Sequence, residues 1–272
     1  MKSLFRAAGA AAALTVVLTG CANYSQPTSA APGGETSADG LTLVAPGKLT
    51  VCTHLAYAPF QFPEGDKIVG FDVDVVDLIA ADLGVTQEII DIDFGQIQSG
   101  AVFTAKKCDL GAAAITITEE RKKSSLFSDP YFDATQALLV RADSPITDLP
   151  DLKDKVLAAQ TDTTGQIYAE ENAAANGYEV KIFDDLPGTA NSVLANTADA
   201  AINDNGVLFD FAKNNPTTKV VKEFATGEQY GFNMSPDNAA LQEKVNKVLA
   251  DAKADGRFNE VYKKWFGVDA PK

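Results

Sequence analysis

The chain is poor in the residues that build metal, redox and nucleic-acid chemistry. Its 272 residues include one histidine (His54), one tryptophan, two methionines and three cysteines. A lone histidine excludes a His-rich metal site, and no C-x-x-C pair is present for redox work. Arginine is scarce: beyond the N-terminal segment only Arg121, Arg141 and Arg257 occur. Lys and Arg number 23 against 37 Asp and Glu, a formal charge of −14. So acidic a chain lacks the basic patch that phosphate backbones require, and nucleic acid is not an expected partner. The sequence holds no G-x-G-x-x-G, P-loop, G-x-S-x-G or H-E-x-x-H motif. A Ser-His-Asp triad could use only His54, and oxidation of Cys108 would remove it as a nucleophile beside that histidine. Nothing demands an enzyme, a cofactor or a metal. What is present is ordinary globular usage, with 46 % hydrophobic and 22 % charged residues. The length suits one large or two ordinary domains.

The N-terminus reads as an address. Lys2 and Arg6 precede Ala7–Gly20, 14 residues without a charge. That run is too short for a bilayer span of ~20 residues and fits a secretory signal. It ends in Leu18-Thr19-Gly20-Cys21, which resembles the bacterial lipobox, where the cysteine thiol takes a diacylglycerol and becomes the mature N-terminus. An ordinary signal peptide with an incidental cysteine is the alternative. Residues 1–20 are therefore expected to be a lipoprotein signal peptide, with a lipid on Cys21 anchoring the body outside the cytoplasm. Residues 22–46 show no apolar periodicity, and twelve of these 25 are Ser, Thr, Gly or Pro. Such a stretch is expected to be a flexible tether over 21–46.

From Lys48 the pattern alternates strand and helix. Lys48–Thr53, Ile89–Ile92, Leu110–Ile117, Ala137–Val140, Val156–Ala159, Val180–Phe183 and Ala200–Ile202 read as strands. Phe71–Leu83 carries a helical apolar stripe closed by Gly84. Gln166–Asn176, Thr189–Asn196, Val207–Asn214, Asp237–Ala254 and Phe258–Phe266 read as further helices. Alternation of this kind predicts α/β architecture with parallel sheets, and the length predicts two lobes.

Cys52 lies in the first predicted strand and Cys108 at the start of the third, which are often neighbours. In an exported chain such a pair is free to bridge; two buried thiols are the alternative. Arg121 follows a strand and Thr116-Ile117-Thr118, which places it in the first turn of a helix. A cation there opposes the helix dipole, whereas a bound anion would be favoured by both the guanidinium fork and the free N–H groups. A surface arginine paired with Glu119 or Glu120 is the alternative.

Four segments carry a resemblance: LTVCTHLAYAPFQF (49–62), GFDVDVVDLIAADLG (70–84), DLGAAAITITEERKKSSLFSDPY (109–131) and DGRFNEVYKKWF (255–266). They resemble the extracytoplasmic polar-amino-acid-binding proteins of bacterial ABC importers, solute-binding protein family 3. The cysteine pair and the CTHLAYAPF wording are most similar to actinobacterial lipoprotein members. The resemblance implies a two-lobe type II periplasmic-binding-protein fold with a hinge and an interlobe cleft. Lobe 1 would hold 47–134 plus 232–272 and lobe 2 would hold 135–231. The hinges would lie near Thr135–Leu138 and Gly231–Asn233.

By position, the resemblance implies that Arg121 clamps the ligand α-carboxylate, helped by Thr116 and Thr164. Asp204 would hold the α-ammonium, a helix-capping surface aspartate being its alternative. Tyr57 and Phe94 would sandwich the carbon chain. His54 stands where cationic-ligand members often carry an acid, which argues against Lys or Arg as ligand and admits an acidic or amide side chain. The implied partners are a free amino acid, an ABC permease and its ATPase, and a membrane reached only through the lipid; the protein would act as a monomer. A dehydratase-type enzyme on the same scaffold, or a ligand-sensing receptor subunit, is the rival reading.

Overall fold

The structure is a computed structural model that describes residues 41–271. The expected signal peptide, the lipidated Cys21 and most of the tether lie outside the described residues. In chain order the elements are β1 (Lys48–Thr53), β2 (Phe62–Glu64), β3 (Lys67–Val69), α1 (Phe71–Asp82), β4 (Thr86–Asp91), α2 (Phe94–Gln98), α3 (Ala101–Thr104), β5 (Leu110–Gly111), β6 (Leu126–Phe127) and β7 (Phe132–Arg141). They continue with β8 (Val156–Gln160), α4 (Thr164–Asn176), β9 (Glu179–Phe183), α5 (Leu186–Leu194), β10 (Ala200–Asp204), α6 (Asn205–Asn214), β11 (Thr218–Tyr230), β12 (Asn233–Met234), α7 (Ala239–Asp255) and α8 (Arg257–Phe266).

Two five-stranded sheets organise the chain. The first has the order β4-β1-β5-β12-β6, the second β11-β7-β10-β8-β9. β1 is buried along all but its first residue, as expected of a strand paired in parallel on both sides and covered on both faces. The sheets are mixed rather than purely parallel: β7 runs antiparallel to both β10 and β11. An apolar run shows that a strand is buried but not which way its neighbours point. The chain enters the second sheet directly from the first, between Phe127 and Phe132, and needs no crossover helix there. It returns between Tyr230 and Asn233. Residues 135–138, expected near a hinge, already lie inside β7; the two crossings are 128–131 and 231–232.

Those crossings are wrapped in aromatic side chains. Tyr131 stacks on Phe232 at 4.3 Å between ring centroids, and Phe132 stacks on Tyr230 at 5.4 Å. Phe60, Phe71 and Phe266 pack edge-on or tilted around Phe132. Aromatic pairs in these arrangements add ~0.5–1.5 kcal/mol each beyond their buried area.

Two local departures have clear causes. Leu41 and Leu43, assigned to the tether by composition, are buried in the main core, and the Val44 N–H donates to Asp109. Leu110–Ile117 is strand only over its first two residues; the remainder turns away from the sheet, with Ala114 at φ 49°. The turn occurs at the C-terminal end of the strand, where open α/β sheets place their ligands. Cys52 and Cys108 form a disulfide, with their Cα atoms 5.8 Å apart. Among the described residues no helix is long and apolar enough to cross a membrane.

Candidate functional site

One cavity of about 20 Å³ gathers residues that follow or end strands of both sheets. Its lining contains all seven residues singled out from the sequence: His54, Tyr57, Phe94, Thr116, Arg121, Thr164 and Asp204. Ala113, Ala114, Gln61, Gln160 and Thr163 complete it.

Arg121 opens a short 3-10 turn, Arg121–Lys123. Its neighbours Glu119 and Glu120 pair with Lys122 and Lys123, which leaves Arg121 to turn inward, 6 % exposed. Nη1 donates to the Thr116 carbonyl at 2.9 Å and Nη2 to the Asp162 carbonyl at 3.0 Å. Nε approaches Gln98 Oε1 at 3.4 Å. A guanidinium has five N–H donors. These contacts use three, leaving one on each terminal nitrogen, the pair that a carboxylate accepts bidentately. The group also sits over the Phe94 ring, 5.4 Å from its centroid. Burial pushes its pKa down, while Asp204 and Glu228 pull it back up. Phe94 is the first residue of α2, held there by the Asp93 side chain, which accepts from Gln96 N.

Asp204 ends β10 and is 5 % exposed. It makes no capping bond to α6, so the surface-cap alternative does not hold. Its carboxylate accepts from Gln136 Nε2 at 2.6 Å, from Tyr57 Oη at 3.0 Å and from Tyr230 Oη. Burial, then the nearby Glu228, pushes its pKa up to about 6. Three donors on about four lone-pair sites leave room for one further donor.

Sequence reasoning missed Glu228 and Gln136. The β7–β11 ladder shifts register between Phe224 and Glu228, and Gly227 takes a left-handed φ of 69°. A bulge of this kind re-aims the side chain after it. Here it turns Glu228 toward Thr116 Oγ1 (3.1 Å), Thr164 Oγ1 (2.8 Å) and Gln136 Nε2 (3.1 Å). A glycine inside an otherwise strand-like run was the available signal. Gln136 is fully buried and bridges Asp204 to Glu228; an added Cβ at Gly165 would lie 2.8 Å from its Oε1. Each threonine hydroxyl has one proton, and both protons are committed to Glu228. Toward the cavity Thr116 and Thr164 therefore present lone pairs, which suit a cationic donor rather than an anion.

The halves meet across this cavity. Tyr57 Oη reaches Asn203 at 2.6 Å, Arg121 reaches the carbonyl of Asp162, and Thr116 Oγ1 lies 3.5 Å from Thr164 Oγ1. The cleft is closed. Behind its wall, the fully buried Asp72 accepts from the Ala114 N–H at 2.8 Å and from Tyr131 Oη at 2.8 Å, and burial raises its pKa to about 7. These bonds hold the left-handed Ala114 at the cavity rim and tie it to a crossing strand.

The family model of bacterial extracellular solute-binding proteins, family 3, matches residues 49–268. The chain belongs to that family. Among curated proteins it is 33 % identical to the ABC transporter glutamine-binding protein GlnH of Bacillus subtilis (strain 168), over 76 % of this chain and 76 % of the relative. It is 30 % identical to the arginine-binding extracellular protein ArtP of the same strain, over 80 % of this chain and 86 % of the relative. Among solved structures, an ancestral arginine-binding protein bound to glutamine superposes with a TM-score of 0.77 at 39 % identity, covering 82 % of this chain and 99 % of the other. The family 3 chain therefore has the two-lobe type II fold of amino-acid-binding proteins, and these relatives are binding proteins rather than enzymes.

Proposed function

We propose that this family 3 protein is the lipid-anchored substrate-binding component of an amino-acid ABC importer. It captures a polar amino acid by lobe closure and hands it, as a monomer held to the membrane through Cys21, to a permease driven by its ATPase. It performs no turnover. Lobe 1 holds 47–134 plus 232–272 and lobe 2 holds 135–231. One observation carries the reading: Arg121, in the turn between two strands of the first sheet, and Asp204, at the end of a strand of the second, line one cavity. The α-carboxylate sits on the two free N–H groups of Arg121. The α-ammonium takes the remaining site on Asp204 and the lone pairs of Thr116 and Thr164, which moves both threonines from the carboxylate to the ammonium. A zwitterion leaves water only where both charges are replaced in this way. Because the two partners lie on opposite lobes, the ligand binds the closed state better than the open one, as a population shift requires. GlnH and ArtP are named for glutamine and arginine, and the ancestral structure holds glutamine.

Thermal unfolding of a soluble form beginning after Cys21, scanned against the 20 amino acids, tests this. A true ligand at 100 times its Kd adds ~2.7 kcal/mol, a rise of about 5–10 °C for a body of this size. No shift with any amino acid would refute the reading.

The site also sets a pH dependence. Asp204 has a folded-state pKa of about 6, above its ordinary 3.8. In the ligand-free fold its contribution to stability is present below pH 4 and is lost as pH rises through 6. The ammonium needs the ionised form, so affinity moves the other way. Below pH 6 the Kd is expected to rise about tenfold per pH unit. Calorimetric titration at pH 5 and pH 7.5 measures this; equal affinities would remove Asp204 from the ammonium site.

A further inference from the structure

Asp72, in the first turn of α1, is fully buried. Its carboxylate is held by two neutral donors, one on each oxygen. The Ala114 N–H reaches Oδ2 and the Tyr131 hydroxyl reaches Oδ1, both at 2.8 Å. Asp74, two residues on, turns the other way and accepts from Lys264 and Trp265 of α8. Burial raises the pKa of Asp72 and pushes that of Tyr131 up as well. A carboxylate is costly to keep in such a place, and an apolar side chain would fill the space without that cost. What the carboxylate adds is the two bonds.

Those bonds complete a ring of contacts around the crossings. Ala114 lines the ligand cavity with a left-handed φ of 49°. The residues after it run alongside the second crossing. The Gly231 N–H donates to the Ile115 carbonyl at 3.0 Å, Thr116 bridges to Tyr230, and the Ile117 N–H donates to the Gln229 carbonyl at 2.8 Å. The second crossing is fastened to the first by the Tyr131–Phe232 stack and by the Tyr131 N–H, which donates to the Tyr230 carbonyl at 3.0 Å. Asp72 supplies the remaining link, from Tyr131 back to Ala114. Backbone bonds therefore join the rim to the second crossing, and one carboxylate joins it to the first. Neither Asp72 nor Tyr131 is part of the cavity lining.

We infer that Asp72 is a positioning residue for binding: it couples the cavity rim at Ala114 to the hinge at Tyr131 and so raises the affinity of a site that it does not touch. The inference rests on the amino-acid-binding reading above and concerns how that same site is held closed. Lobe closure changes the backbone at the crossings. With the ring intact, the crossings and the rim take up one joint arrangement. With the ring broken, the rim relaxes while the crossings hold the closed angle. The ligand then loses contacts in the closed state alone, and its preference for that state shrinks. A carboxylate that served stability only would change Tm and leave Kd where it is.

Calorimetric titration of the parent with each of the 20 standard amino acids, repeated on three folded variants with the amino acids that bind, tests it. Tyr131→Phe removes only a hydroxyl, keeps the stack on Phe232 and is expected to raise Kd about tenfold. Asp72→Ala removes both bonds and is expected to raise it at least as much; adding Tyr131→Phe to it should change Kd by less than about twofold. Asp72→Asn rebuilds both links, because its amide oxygen accepts from the Ala114 N–H and its NH₂ donates to the Tyr131 hydroxyl. Its Kd is expected to stay within about threefold of the parent. Hydrogen exchange reads the rim directly: the Ala114 amide should exchange faster in Asp72→Ala than in the parent or in Asp72→Asn. A Tyr131→Phe variant whose Kd stays within about twofold of the parent overturns the inference, whatever its Tm. An asparagine variant as weak as the alanine one overturns it too. Both results leave the amino-acid reading standing. Absence of binding to the parent by all 20 amino acids overturns that reading, and the inference with it.

Discussion

Replacing Arg121 with alanine is expected to raise the ligand Kd about a thousandfold or more, with the fold retained. The size follows from what is lost together. A bidentate charge-assisted pair disappears, worth ~1.5–3 kcal/mol per hydrogen bond to a charged group. The α-carboxylate would then be buried with no cation, beside Asp204 and Glu228. The fold is expected to survive because Arg121 bonds to loop carbonyls and to Gln98, not to either sheet core. Arg121→Lys keeps a charge but not the fork and should recover only part of the loss. Calorimetry gives the affinity and far-ultraviolet circular dichroism reports the fold. An alanine variant that still binds within tenfold of the parent would remove Arg121 from the clamp.

The second large effect is on stability. The Cys52–Cys108 bridge spans 56 positions of sequence and joins β1 to the residues just before β5. In the chain-entropy treatment a loop of this length contributes ~4 kcal/mol by restricting the unfolded chain. Replacing both cysteines by serine is expected to lower Tm by about 8–16 °C in a body of this size. The same scan under reducing conditions should move the parent protein toward the variant and leave the variant where it is. A difference of less than 2 °C between parent and variant would show that the surrounding core carries the stability by itself.

The parts of this protein legible in its sequence are those that local pattern alone determines. β1 was read to the residue, because a strand buried on both faces leaves a continuous apolar run. α1 was read to within one residue of its end by its stripe and by Gly84. Arg121 stands out as one of three arginines beyond the N-terminal segment and by its place after a strand, whereas Asp204 comes from the family resemblance, by position. What escaped is what only the tertiary structure creates. β6 and β12 are two residues long and carry no period, and β5 is only the first two residues of the apolar run Leu110–Ile117. β11 is interrupted at its bulge, so its run did not read as a strand, and Glu228 was not seen. Leu41 and Leu43 were hidden in a polar segment whose composition outweighed two apolar residues.

One topological detail bears on how the molecule is made. In the first sheet β12 lies between β5 and β6, so two strands from the first half of the chain are bridged by a strand near residue 234. A polypeptide emerging from its N-terminus has β1, β4, β5 and β6 long before the piece that joins them. Until Asn233 and Met234 arrive, the edges of β5 and β6 stay open and the Tyr131–Phe232 stack is missing its second ring. The order of synthesis therefore withholds the first lobe until about seven-eighths of its residue numbers have passed, while the second sheet is whole once Tyr230 is available. The sheet that comes last to completion is the one begun first, which makes this a slow, non-local assembly by design of its connectivity.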